Sequence, residues 1–295
     1  MTHPPHDCLI GTELSAVGVA AVIDRALELK ADPLSSKVLR GRSVALLFER
    51  PSTRSRVSLE SGVVELGGHP MVLRADEMQL TRGESVRDTA YVLSRHVAAI
   101  AVRTGPHTVV QELADHASVP VINMLTAEHH PCQALADLLT LRETFGKLEG
   151  LTLAYVGDGN NVARSLALLG SLAGVRVRVA SPAGYELEPV GGAELMRDPR
   201  EAARGADALY TDVWVSMDDA PATAVERRRA LAPYCLDDEL LDLAAPGAVA
   251  LHCLPAHPGE EITAEVLYGD RQRIWDQVEN RRHAQKALLE FLVTA

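Results

Sequence analysis

The segment Pro51-Ser52-Thr53-Arg54-Ser55-Arg56 interleaves hydroxyls with guanidinium groups directly after the apolar run 43–48, and Arg50 adds one more positive charge. A strand-to-helix turn capped by Ser52 or Thr53 would aim unpaired N–H groups and the positive end of a helix dipole at a bound anion. The hydroxyls and guanidinium groups would complete a cradle for a small phosphate. An ordinary cap followed by a solvated arginine face is the plainer alternative. His130-Pro131-Cys132-Gln133 marks a second strand-to-helix junction, where proline suits the first helical turn. A histidine there can hydrogen-bond a substrate carbonyl, and Gln133 can donate to a carbonyl oxygen or accept from an amide. The competing reading is a polar surface loop.

Gly157-Asp158-Gly159-Asn160-Asn161 follows the run LTLAYV and has the opening of a dinucleotide fingerprint. That makes an NAD-dependent dehydrogenase the main alternative from another class. Against it, Val162 stands where the third glycine belongs, and VRVRVA runs into Ser181-Pro182 with no acidic residue for a ribose. A catalytically silent binding protein on the same scaffold is a further alternative, although it has less need of so many convergent polar groups. His129, His130, Cys132, His252, Cys253 and His257 carry metal-binding side chains, yet their spacing matches no zinc motif and no metal is expected.

What must position these groups is a set of short runs rich in Val, Ile, Leu and Ala: 43–48, 98–103, 119–124, 151–156, 175–180, 208–213 and 248–253. Continuous apolar runs alternating with helical stretches predict buried parallel strands, so the fold class is α/β. A helix over 133–145 ends in a Gly-containing polar turn at 146–150, which predicts a domain boundary there. A terminal helix is expected over 276–294, with Ala284, Ala287, Leu288 and Phe291 on one face. Residues 182–192 read as a loop. Each polar cluster follows the carboxyl end of a strand, where open parallel sheets bind ligands. Two doubly wound domains with those ends facing one cleft would gather them all.

The chain of 295 residues carries a formal charge of −11, which opposes general binding to a phosphate backbone and leaves a small, locally held anion as the phosphate ligand. The start MTHPPHDCLIG lacks signal-peptide features, and no apolar stretch approaches a membrane span, so a cytoplasmic location is expected. Cys8, Cys132, Cys235 and Cys253 form no C-x-x-C pair and read as free thiols.

Taken together, FERPSTRSR, QLTRGES, HHPCQALADL, GDGNNV, DVWVSM, HCLPAH and ENRRHAQKAL resemble, in order and spacing, the ornithine carbamoyltransferases within the aspartate/ornithine carbamoyltransferase family. The resemblance covers nearly the whole chain, and DVWVSM with HCLP looks like the ornithine-binding half rather than the aspartate one. It implies a transferase that moves the carbamoyl group of carbamoyl phosphate to the side-chain amine of L-ornithine, giving citrulline for arginine biosynthesis; putrescine, a modified ornithine or lysine are alternative acceptors. Residues 1–146 are the expected carbamoyl-phosphate domain, with helix 276–295 packing back on it, and residues 147–275 the ornithine domain.

By resemblance, carbamoyl phosphate is held by Ser52, Thr53, Arg54, Ser55, Gln79, Arg103, His130, Gln133, Cys253, Leu254 and Arg281, and ornithine by Asn161, Asp212, Ser216 and Met217. Arg54, Arg103, His130, Asp212 and Cys253 are the expected catalytic set. The family implies no metal or organic cofactor, no nucleic acid or membrane partner, and a homotrimer or larger assembly of trimers, with Gln79 on a loop offered to a neighbouring subunit. Three departures stand out. Ser216-Met217-Asp218 replaces the usual S-M-G, Ser55 replaces a threonine, and Pro258 stands where anabolic members commonly have arginine. The stretch 185–207 also looks short, which predicts a missing helix.

Overall fold

Strands without polar side chains in their interiors can be satisfied only inside a sheet covered on both faces, and this chain builds two such sheets. The computed structural model describes residues 6–79, 83–216 and 220–294. It divides into one unit of Met1–Leu139 with Glu279–Ala295 and a second of Thr140–Val278. Among the described residues no helix is long and apolar enough to cross a membrane.

The first unit contains α1 (Ser15–Ala31), β1 (Ser43–Phe48), α2 (Thr53–Glu65), β2 (His69–Arg74), α3 (Val86–Leu93), β3 (Ala99–Arg103), α4 (His107–His116) and β4 (Val121–Leu125). Its sheet has the order β2-β1-β3-β4 and every pairing is parallel. The order reverses between β1 and β3, and ligands in open parallel sheets bind at such a switch point. The loops leaving those two strands carry Ser52 to Arg56 and Arg103. The second unit contains β5 (Thr152–Val156), α6 (Asn161–Leu172), β6 (Arg176–Ala180), β7 (Glu194–Met196), α7 (Pro199–Ala203), β8 (Ala208–Thr211), α8 (Ala224–Leu231), α9 (Asp238–Leu241), β9 (Val249–His252) and α10 (Ala264–Tyr268). Its parallel sheet runs β7-β6-β5-β8-β9, with the switch point between β5 and β8. There the chain places Asn160 and Asp212.

Two strands escape the apolar pattern. β2 contains Pro70 and is only partly covered along its length, and β7 is three residues long. Both are edge strands, where half the backbone needs no partner and a continuous apolar run is not required. The stretch expected to lack a helix holds β7 and the short α7.

The chain passes between the units inside two helices, α5 (Pro131–Phe145) and α11 (Ile274–Val293). The expected one-sided face on α11 is too narrow a description. Ala284, Ala287 and Leu288 are buried and Phe291 is half-buried, but His283, Gln285, Lys286 and Leu289 are buried as well, so this stretch is enclosed all round. The polar members need partners there. Lys286 Nζ, fully buried, donates to Glu65 Oε2 at 2.6 Å, to the Pro33 carbonyl at 2.9 Å and to the Leu29 carbonyl at 3.3 Å, tying α11 to α1 and α2.

Lys286→Met removes the donor shared by Glu65 and two carbonyls, although Arg282 still faces Glu65, so it is expected to lower unfolding free energy by about 2 kcal/mol. Urea denaturation reads this directly, and an unchanged midpoint would mean the pin contributes nothing. His283 supplies a second expectation. Burial first, then the charges of Arg282 and Lys286, lower its pKa from 6.5 to about 4. Below 6.5 the unfolded chain takes up a proton that the native helix resists until about 4. Stability should therefore fall as pH drops through that window, and His283→Gln should flatten the slope in pH-dependent urea unfolding.

Candidate functional site

At the switch point of the first sheet, Ser52 caps α2 by accepting from the Ser55 N–H at 3.3 Å. This leaves the first turn of the helix presenting Thr53, exposed, and Arg54, half-buried, while Ser55 turns inward and is fully buried. Arg281, 3% exposed on α11, donates to Ser55 Oγ at 2.7 Å and to Gln133 Oε1. Gln133 in turn donates from Nε2 to Asp137 Oδ1 at 2.7 Å. His130 precedes α5 and is 3% exposed. Burial, followed by the positive charges of Arg281, Arg103 and Arg54, holds its pKa well below the ordinary histidine value. The ring is thus neutral at pH 7 and can donate a hydrogen bond without carrying charge. Three guanidinium groups on one neutral imidazole, at a helix N-terminus, form a site suited to a doubly charged anion joined to a carbonyl.

At the switch point of the second sheet, Asn160 caps α6, its Oδ1 accepting from the N–H groups of Val162 and Ala163. Its Nδ2 donates to Asp212 Oδ2 at 2.8 Å, and the Cys253 thiol donates to Asp212 Oδ1 at 2.8 Å. Both oxygens of this buried carboxylate are therefore oriented. Tyr155 backs the cluster: burial, then Asp212 and Asp158, push its phenol well above its usual pKa, so it remains a donor, to Asn160 Oδ1 at 3.3 Å.

Behind Cys253 lies a fully buried pair. His252 Nδ1 accepts from the Leu254 N–H at 2.8 Å, which puts the ring proton on Nε2, 3.1 Å from Glu261 Oε1. Burial works to raise the Glu261 pKa, yet hydrogen bonds from His252 and the His257 N–H hold it below the usual carboxylate range. Leu254 adopts φ 60°, a left-handed angle that costs a branched residue energy, and the His252 bond holds it there.

The structure thus collects Ser52, Thr53, Arg54, Ser55, Arg103, His130, Gln133 and Arg281 in the first unit, and Asp212 and Cys253 in the second. Asn161 opens α6, half-buried, and Leu254 follows Cys253 in the second unit. Ser216 is exposed after β8. Gln79 is also exposed, its carbonyl accepting from the Glu84 N–H at 3.1 Å. Met217 and Asp218 lie outside the described residues. Asn160, His252 and Glu261 were not singled out for these roles. Asn160 had a visible signal as a cap residue after a strand, whereas Glu261 is one of two adjacent carboxylates, with Glu260, in an unremarkable loop.

Asp212, His252 and Cys253 place ligand-type atoms within 4.8 Å of one another. Both ring nitrogens of His252 are engaged, however, by Leu254 and Glu261, which leaves no lone pair for an ion. The dinucleotide reading also meets an obstruction. The Gly159 N–H donates to the Tyr185 carbonyl at 2.8 Å, and a Cβ on Gly159 would lie 2.2 Å from the Leu187 nitrogen. Protein backbone occupies the close approach that a pyrophosphate would need.

Two family models match the chain. Residues 7–143 match the carbamoyl-P binding domain of aspartate/ornithine carbamoyltransferase, and residues 149–292 match its Asp/Orn binding domain. The ornithine carbamoyltransferase of Acidothermus cellulolyticus is 55% identical over 97% of this chain and 96% of its own. The crystal structure of ornithine carbamoyltransferase from Thermus thermophilus superposes with a TM-score of 0.92 at 46% identity, covering 98% of this chain and 99% of that one. Ornithine carbamoyltransferase from Pyrococcus furiosus gives 0.93 at 41%, covering 100% and 99%. With both halves matched by its domain models and a relative 55% identical over almost the whole length, the chain belongs to the aspartate/ornithine carbamoyltransferase family.

Proposed function

We propose that this protein transfers the carbamoyl group of carbamoyl phosphate to the δ-amine of L-ornithine, giving L-citrulline and phosphate. The observation that carries the reading is the neutral, buried His130 under the charges of Arg54, Arg103 and Arg281. Such a group suits a ligand that is anionic at one end and a polarisable carbonyl at the other. The names of the close relatives support ornithine as the acceptor.

In this reading Ser52, Thr53, Arg54, Ser55 and Arg103 take the phosphate, and His130, Gln133 and Arg281 take the carbamoyl group. Asn161, Asp212 and Ser216 take ornithine. The amine attacks the carbamoyl carbon. A C–N bond forms, the carbon–oxygen bond to phosphate breaks, and the nitrogen loses a proton. His130 donates to the oxygen as it becomes an oxyanion, and Arg54 and Arg103 stabilise the charge gathering on phosphate. An alkylammonium with a pKa of about 10.4 is neutral in only about one molecule in a thousand at pH 7. Asp212, whose Oδ1 the Cys253 thiol orients, holds that amine and receives its proton.

Assembly as a homotrimer, with the exposed Gln79 offered to a neighbour, belongs to the same proposal, as do a cytoplasmic location, suited to four free thiols, and a place in arginine biosynthesis.

An acceptor panel tests the function. Purified protein with carbamoyl phosphate and ornithine, lysine, putrescine or N-acetylornithine is assayed for ureido product and phosphate. Ornithine should give both in equal amounts, with a kcat/KM about 100-fold above any other amine. Preference for a different amine, or phosphate release without ureido product, would contradict the assignment.

A further inference from the structure

Helix α8 has little apolar reason to stay where it is, because Leu231 is its only buried residue. Arg227 holds it instead. The Arg227 Nε donates to the Trp214 carbonyl at 2.8 Å, a terminal nitrogen pairs with Asp158 Oδ2, and the guanidinium carbon sits over the Tyr185 ring at 5.0 Å from its centroid. The Arg227 and Asp158 side chains are only 15% and 18% exposed, so this pair is screened less than an ordinary surface bridge.

The three contacts fall on the segments that carry the acceptor residues. Asp158 lies two residues before Asn160, which orients Asp212. Trp214 lies midway between Asp212 and Ser216. Tyr185 supplies the carbonyl that holds Gly159. One side chain thus joins the loop after β5, the loop after β8 and the far end of the segment between Trp214 and Arg227. Its grip on the Trp214 carbonyl fixes the direction in which the chain leaves β8, and with it the placement of Ser216.

We propose that Arg227 is a positioning residue for the amine acceptor, acting through Trp214 and Asp158 without touching substrate. This rests on the reading of the second unit as the ornithine side. Lysine cannot replace it fully, since an ammonium lacks the planar fork that serves a carbonyl, a carboxylate and a ring face at once.

The test is steady-state kinetics in both substrates for wild type, Arg227→Ala, Arg227→Lys and Asp158→Asn. A fluorescence titration with ornithine in a Trp275→Phe background, where Trp214 is the remaining tryptophan, accompanies it. Arg227→Ala should raise KM for ornithine by about tenfold or more while KM for carbamoyl phosphate stays within about twofold. Arg227→Lys should fall between the two, and the ornithine-induced change in Trp214 emission should shrink in step. Equal shifts for both substrates, or none, in folded Arg227→Ala would overturn the inference. Should that variant fail to fold, the near-isosteric Asp158→Asn decides the same comparison. A wild-type protein that carbamoylates no ornithine would defeat the proposed function and this inference with it, whereas normal ornithine turnover with undifferentiated shifts defeats the inference alone.

Discussion

A guanidinium group buried in a protein must find acceptors among whatever surrounds it, and Arg281 finds them on two helices distant in sequence. Ser55 lies 226 residues before it and Gln133 148 residues before it. The bond to Gln133 fixes which way that amide faces, and Gln133 passes the constraint to Asp137. Five residues further along α11, Lys286 reaches Glu65 at the other end of α2. The end of the chain therefore sets how α2 and α5 present their N-termini. It also sets the electrostatics. Three guanidinium groups acting on His130 repel one another, and the anion of the proposed function, bound among them, would relieve that repulsion.

The second unit solves a different problem. In the proposed function, a carboxylate that holds an ammonium must be aimed although it is buried. Asp212 achieves this by accepting from Asn160 on one oxygen and from the Cys253 thiol on the other. The thiol is placed by a turn whose left-handed Leu254 is held by His252, itself oriented by Glu261. Asp212, His252 and Glu261 are buried and depend on these contacts, so a change at Glu261 should be felt at Cys253.

The buried strands were legible in the sequence because strands covered on both faces need continuous apolar runs, as in Val44 to Phe48 and Thr152 to Val156. Edge strands β2 and β7 carry no such run and were not. The local motifs were legible for a similar reason: Ser52 and Pro131 act within one helical turn of where they stand. What could not be read from spacing was the long-range pairing. Arg281 is one arginine in a charged helix until the fold closes it against Ser55, and Glu261 is one of many acids until His252 meets it. Arg227 likewise gains its meaning only from three contacts made at a distance. The resemblance to a family supplied Arg281, but neither Glu261 nor Arg227.

The geometry of the Arg281 guanidinium, beyond its charge, would order the proposed anion site. The most direct measurement is calorimetric binding of phosphonoacetamide, in which a methylene replaces the scissile oxygen of carbamoyl phosphate, to wild type and to Arg281→Lys. Lysine keeps the positive charge but cannot bond Ser55 and Gln133 together in the same plane, so affinity should fall about tenfold or more while the chain remains folded. Wild-type affinity in a folded Arg281→Lys protein would contradict the account, because charge alone would then be enough.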